Sequence, residues 1–92
     1  MLSDEERARL SEANPDALVA DGLEAAYVGY ASQHGSLPLA VYDADRCIEA
    51  LMQESEMTCE EATEWFYFNV VSAYCGQGTP LFLFPSDQTE TT

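Results

Sequence analysis

The sequence predicts an α+β fold that is mainly helical, with three to four helices and a small two-stranded sheet whose strands lie at about 37–42 and 79–84. Three observations predict it. Ser3 with Glu6 and Thr58 with Glu61 fit the S/T-x-x-E capping box, in which the hydroxyl and the carboxylate satisfy helix N–H groups reciprocally. Two short apolar runs, one holding Pro38 and one closed by Pro85, are the strand-like segments, so they are expected to pair. A hydrophobic content of 47% with 11% aromatics over 92 residues suits one compact core and is too high for an acidic disordered chain.

In chain order, the first helix is expected from Asp4 to Glu12, behind the Ser3 cap. Asn14 followed by Pro15 reads as an N-cap with proline at the first helical position. The helix it opens is expected to reach about Ser32, because Leu23, Ala26, Tyr27 and Tyr30 recur at helical spacing. Gly22, Ala26 and Gly29 form a row of small residues on it, each glycine costing about 1 kcal/mol against alanine. Gly35, after His34, suits the left-handed position that ends a helix. The first strand follows, and Asp43 caps a helix at about 44–53 whose inner face is Cys47, Ile48 and Leu51.

The last helix is expected from Thr58 to about Cys75. It carries Trp65, Phe66, Tyr67, Phe68, Val70, Val71 and Tyr74, and a helix apolar nearly all round is usually buried, which makes it the expected hub of the core. Gly76-Gln77-Gly78 breaks it and TPLFLF forms the second strand. Residues 1–85 are then one acidic domain, with 86–92 a polar tail expected to be disordered.

Seventeen Asp and Glu against three Arg give a net charge of −14 and a pI near 4.1. Such a surface repels phosphates, which excludes direct binding of nucleic acid or anionic lipid. No apolar stretch reaches the roughly 18 residues of a membrane span, and MLSDEERARL lacks the apolar region of a secretory signal. Cys47, Cys59 and Cys75 form no CxxC and no even disulfide framework, which fits the cytoplasm.

Catalytic readings are weak. His34 is the one histidine. Cys59, in a first helical turn, is the best nucleophile on position, but Glu60 and Glu61 oppose its thiolate. Gly76-Gln77-Gly78-Thr79 follows a helix and precedes a strand, the reverse of a phosphate-binding loop, and no lysine accompanies it. Asp43, Asp45 and Glu49 lack the spacing of a calcium loop, and the domain is too small for a sugar cleft between paired carboxylates. The expectation is a protein that is not an enzyme, with no cofactor and no metal.

What remains is the charge. Helical surfaces usually answer Glu with a cation four residues on, whereas Asp45 meets Glu49 and Glu60 meets Glu64 at that spacing, and such pairs repel. Asp43, Asp45, Glu49, Glu54, Glu56, Glu60, Glu61 and Glu64 are therefore the expected contact surface for a positively charged partner. A solvated acidic coat, selected for solubility or high salt, accounts for the same excess without a partner. Asn69, an amide among aromatics, is expected to anchor the loop around Gly76–Gly78 or the start of the strand after it.

The segments LPLAVYDADRCIEALM and MTCEEATEWFYFNVVSAYCGQGTPLFL, within 37–83, resemble small acidic proteins encoded by phages, prophages and mobile elements. The features that carry the resemblance are AVYD before a helix, EEA-x-E-W/F at a helix start, FNV at 68–70 and AY-x-G-x-GTP at 73–80. The resemblance supplies no catalytic residues and implies a role in phage–host conflict. The expected function is thus a small non-enzymatic protein that binds and inhibits a basic, nucleic-acid-binding host protein, as an anti-defence or anti-CRISPR factor acting by nucleic-acid mimicry. The alternative is a structural or assembly module, such as a homodimer, using Tyr27, Tyr30 or Tyr67.

Overall fold

The computed structural model describes residues 1–73 and 76–86. Helix α1 (Asp4–Ala13) starts where expected, with the Ser3 hydroxyl accepting the Glu6 N–H at 3.2 Å. Strand β1 (Tyr27–Ala31) follows a single 3₁₀ turn over Glu24–Ala26, and β2 (Leu39–Asp43) returns antiparallel to it. Asp43 caps α2 (Ala44–Ser55), its Oδ1 accepting the Arg46 N–H at 3.1 Å. Both halves of the Thr58/Glu61 capping box form at the start of α3 (Cys59–Phe66), at 3.0 and 3.1 Å. The helix then widens into a π-turn over Tyr67–Val71, and β3 (Leu81–Leu83) joins the sheet parallel to β2.

The α+β class holds, but the sheet has three strands in the order β1-β2-β3 rather than two. The two expected strands do pair, through Val41–Leu81, Tyr42–Phe82 and Asp43–Leu83. The third strand lies in the segment expected to be helical from Pro15 to Ser32. Two local conflicts decide against that helix. Gly22 and Gly29 take φ of +89° and +148°, far from helical values, so the two weak positions act as breakers. Tyr27, Val28 and Tyr30 then gain more from pleated pairing with β2 than from a helix interior, and the register slips once, between Tyr27 and Gly29, as in a β-bulge.

Asn14 likewise ends α1 instead of opening a second helix. It is 5% exposed, its Oδ1 accepts the Asp16 N–H at 3.0 Å, and its Nδ2 donates to the Pro38 carbonyl at 2.9 Å. One amide thereby satisfies a turn and ties the α1 exit to the start of β2. Gly35 has the expected left-handed φ, +83°, but within the β1–β2 connection, where the Ser36 N–H reaches the Gln33 carbonyl. Gly78 passes so close to the Asp16 carbonyl that a Cβ there would collide with backbone.

One face of the sheet carries the core. Tyr27, Ala40 and Tyr42 join Leu2, Leu10, Leu23, Ala26, Ala44, Cys47 and Phe66 in one buried cluster, with Phe82 packed against it. Tyr42 meets Tyr27 edge-on at 5.5 Å, and Phe82 meets Phe66 edge-on at 5.4 Å. The Tyr42 hydroxyl accepts the Ala20 N–H at 2.8 Å, whereas the Tyr27 hydroxyl is buried without a hydrogen-bond partner among the described residues. Among the described residues the other sheet face has no such cover: Leu81 and Leu83 are 43% and 49% exposed, beside half-buried Leu39 and Val41.

The expectation that the last helix is the core hub is corrected. Of its aromatic run only Phe66 is fully buried, while Trp65, Tyr67 and Phe68 are exposed. Successive helical side chains point about 100° apart, so a run of four aromatics cannot all face one core. Tyr74 and Cys75, the expected end of that helix, lie outside the described residues, as do 87–92 of the expected tail.

The core predicts an alkaline transition. Burial pushes the Cys47 thiol from 9.0 up to about 12, with the nearby Asp43 carboxylate adding to the rise. Burial also raises the Tyr27 and Tyr42 hydroxyls above 10.0, although the Ala20 N–H pulls Tyr42 partly back. Each group is held neutral in the fold and ionises more readily when unfolded. Their contribution to stability is complete below the unfolded pKa values and is lost as pH rises through the folded ones. The melting temperature is therefore expected to stay level up to about pH 9 and then fall, and Cys47→Ala to delay the onset toward pH 10. Thermal melts from pH 7 to 11 check this, and a level profile across that range contradicts it.

Candidate functional site

The eight carboxylates expected at a contact surface are carried by the last residue of β2 (Asp43), α2, the 56–58 connection and α3, and the structure brings three of them to one groove. Glu56, Glu61 and Glu64 border a groove of about 550 Å³ whose other walls include Met57, Trp65 and Phe68. Glu54 stands at the rim of a neighbouring pocket, and Glu49 borders a separate depression with Ala25, Arg46 and Gln53. Asp43 is half-buried and occupied by its capping bond, while Asp45 and Glu60 are exposed beyond these recesses.

The local sequence explains why the groove exists. Ser55-Glu56-Met57 leaves α2 and the capping box restarts the chain as α3, so two helix ends meet there. Glu61 is held by its box bond to the Thr58 N–H. Glu64, one turn on, follows on the same side as Glu60 and Glu61. Trp65 and Phe68 are three residues apart and 42% and 78% exposed, an apolar strip directly beside the acids.

Cations do not answer these carboxylates within the chain. Among the described residues the ion pairs are those of Arg9 with Glu5 (3.8 Å) and Glu6 (3.1 Å), both on α1. All of the eight except Asp43 are exposed, so each keeps its charge available for an external partner.

Glu56 adds an observation that the charge alone does not supply. It occupies the left-handed region at φ 54°, ψ 38°, immediately after α2, where glycine is usual and other residues are strained. Strain kept at a surface position is a pointer to function. Glu56→Gly is expected to stabilise the fold by about 1 kcal/mol, raising the melting temperature by about 4–8 °C. The same change is expected to weaken binding of an arginine-rich peptide. Calorimetry and a peptide titration check the two halves, and a destabilised variant contradicts the strain argument.

Several expected roles move. Asn69 is exposed, and its Nδ2 donates to the Trp65 carbonyl at 3.1 Å within its own helical turn, so it anchors no loop at Gly76–Gly78. Its helix face turns away from the core, which leaves the amide in reach of water and of the i−4 carbonyl. Tyr27 is 1% exposed, because it is the inward residue where β1 meets Tyr42, and cannot serve an interface. Tyr30 and Tyr67 are both nearly half exposed, Tyr67 stacked on Phe84 at 5.9 Å.

His34 is exposed in the β1–β2 connection and Cys59 is exposed at the start of α3, and among the described residues no hydrogen bond joins them. Cys75 lies outside those residues. Among the described residues no group of three or more His, Cys, Asp or Glu side chains is placed to hold a metal ion. No helix among them is long and apolar enough to cross a membrane.

Sequence reasoning missed the aromatic half of this site. The signal was present in Trp65-Phe66-Tyr67-Phe68, since helical geometry leaves most of four consecutive aromatics outside any single core face. Comparison of the chain with protein-family models, curated proteins and solved structures finds no match.

Proposed function

We propose that the chain is a small non-enzymatic acidic protein that binds and inhibits a basic, nucleic-acid-binding host protein by occupying the groove that would take nucleic acid. The observation that supports this reading most directly is the set of exposed carboxylates on α2, the 56–58 connection and α3, without ion pairs among the described residues and joined by exposed Trp65 and Phe68. Acidic side chains steer a positive surface into place, and aromatics at the centre of a contact add the affinity that charge alone does not. The scale fits as well: over the 37 Å long axis duplex DNA carries about 22 charges, of the order of the net −14 here. The resemblance of the 37–83 region to phage and mobile-element proteins supports an anti-defence or anti-CRISPR setting.

The test is capture of host-lysate proteins on the immobilised chain, followed by elution with a short DNA duplex or with salt. The expected result is a set of basic proteins released by either. Capture that survives both counts against the reading.

A second reading rests on the sheet face that the described residues leave open, where Leu81 and Leu83 lie exposed beside Leu39 and Val41. In that reading the chain is an assembly module that self-associates through this face. The two readings respond oppositely to salt. Screening relieves repulsion between two chains of net −14 and strengthens a dimer, whereas it weakens a complex with a basic partner. Light scattering at low and high ionic strength separates them.

A further inference from the structure

Next to the acidic groove, and sharing Trp65 and Asn69 with it as a common wall, lies a second recess of about 320 Å³. Its lining is apolar, with Leu23, Leu51, Val70 and Phe82, while Asp21 and Glu54 stand among its border residues. The two recesses thus place an apolar hole and three carboxylates beside one shared indole. We infer that the partner's contact segment is a basic stretch carrying one bulky apolar side chain. That side chain enters the pocket beside Trp65 while flanking arginines or lysines lie along Glu56, Glu61 and Glu64. This inference rests on the basic-partner reading above and specifies which segment chemistry the site selects.

Charge complementarity commits the site to this occupant. A second copy of the chain would bring further carboxylates against Asp21, Glu54 and the groove acids, with only three arginines in 92 residues to offset them. A purely apolar segment would leave the acids unanswered, and a purely basic one would leave the pocket wet. The pocket has room for about ten waters at the liquid's density, and it offers them few polar partners, so an apolar side chain that displaces them gains affinity. Arginine suits the strip beyond it, since its guanidinium stacks on Trp65 or Phe68 while pairing with a carboxylate.

Two fluorescein-labelled heptapeptides test this on the full chain, both with four arginines, one with a central leucine and the other with serine in its place. At about 0.15 M salt the leucine peptide is expected to bind about tenfold tighter, the worth of one partly buried leucine. It alone is expected to shift the emission of Trp65, the single tryptophan, to the blue. Ala73, exposed at the pocket's edge, offers a way to fill it: Ala73→Phe is expected to bring the two peptides within about twofold by weakening the leucine peptide. Ala73→Leu, a smaller filling, is expected to narrow the gap partly, and circular dichroism confirms that each variant folds. Equal binding of the two peptides by the native chain, with no tryptophan shift, overturns the inference and leaves the basic-partner reading standing. Failure of both peptides to bind overturns both. A leucine preference that persists in the folded Ala73→Phe variant also overturns the inference, because it moves the anchor elsewhere.

Discussion

Phe66→Ala is expected to lose about 3–5 kcal/mol, while Phe68→Ala, two residues along the same helical run, is expected to stay within about 0.5 kcal/mol of the native chain. Phe66 is fully buried, edge-on to Phe82 at 5.4 Å and to Tyr67 at 5.8 Å, so truncation removes both ring contacts and opens a cavity between α3 and β3. Phe68 is 78% exposed and leaves no such cavity. A domain of this size is typically stable by about 5–14 kcal/mol, so the first loss is a large share of the whole. The expected fall in melting temperature is on the order of 12–40 °C, read from thermal melts by circular dichroism. Equal losses from the two variants would reverse the assignment of which face of α3 meets the core.

That pair marks the boundary of what the sequence makes legible. Helix starts are legible because their chemistry is local: Ser3, Asp43 and Thr58 each cap the helix they precede, through bonds made within three residues. The strands at 39–43 and 81–83 are legible because each is a short apolar run beside proline. What fails is non-local. Tyr27–Ala31 has helical spacing and strand composition together, and its pairing with Leu39–Asp43 decides the outcome. Asn14 looks like a cap in isolation and becomes a tether because Pro38 is brought to it by the fold. The carboxylates of the site are legible as composition. Their division among recesses depends on how α2 and α3 pack together, which the sequence does not encode within any single window.

Glu56→Gln, Glu61→Gln and Glu64→Gln made together are expected to weaken binding of a basic partner by about 10–100-fold at about 0.1 M salt, each charge contributing about 0.5–1 kcal/mol. Gln still serves the third position of a capping box, so the Thr58 bond survives at Glu61 and the fold is expected to persist. Removing Glu64 also relieves its repulsion with Glu60 four residues back, worth about 0.2–0.5 kcal/mol. The melting temperature should therefore hold or rise slightly while affinity falls. The discriminating control is Asp4→Asn, Glu5→Gln and Glu12→Gln on α1, which removes the same charge from exposed positions outside the groove. If the acids act as a docking face, the groove variant loses binding and the α1 variant keeps most of it, since charges beyond about 10 Å are screened at 0.1 M salt. If they form a hydration coat, the two variants behave alike, and any partner is then attracted by net charge without recognising the face built around Trp65 and Phe68.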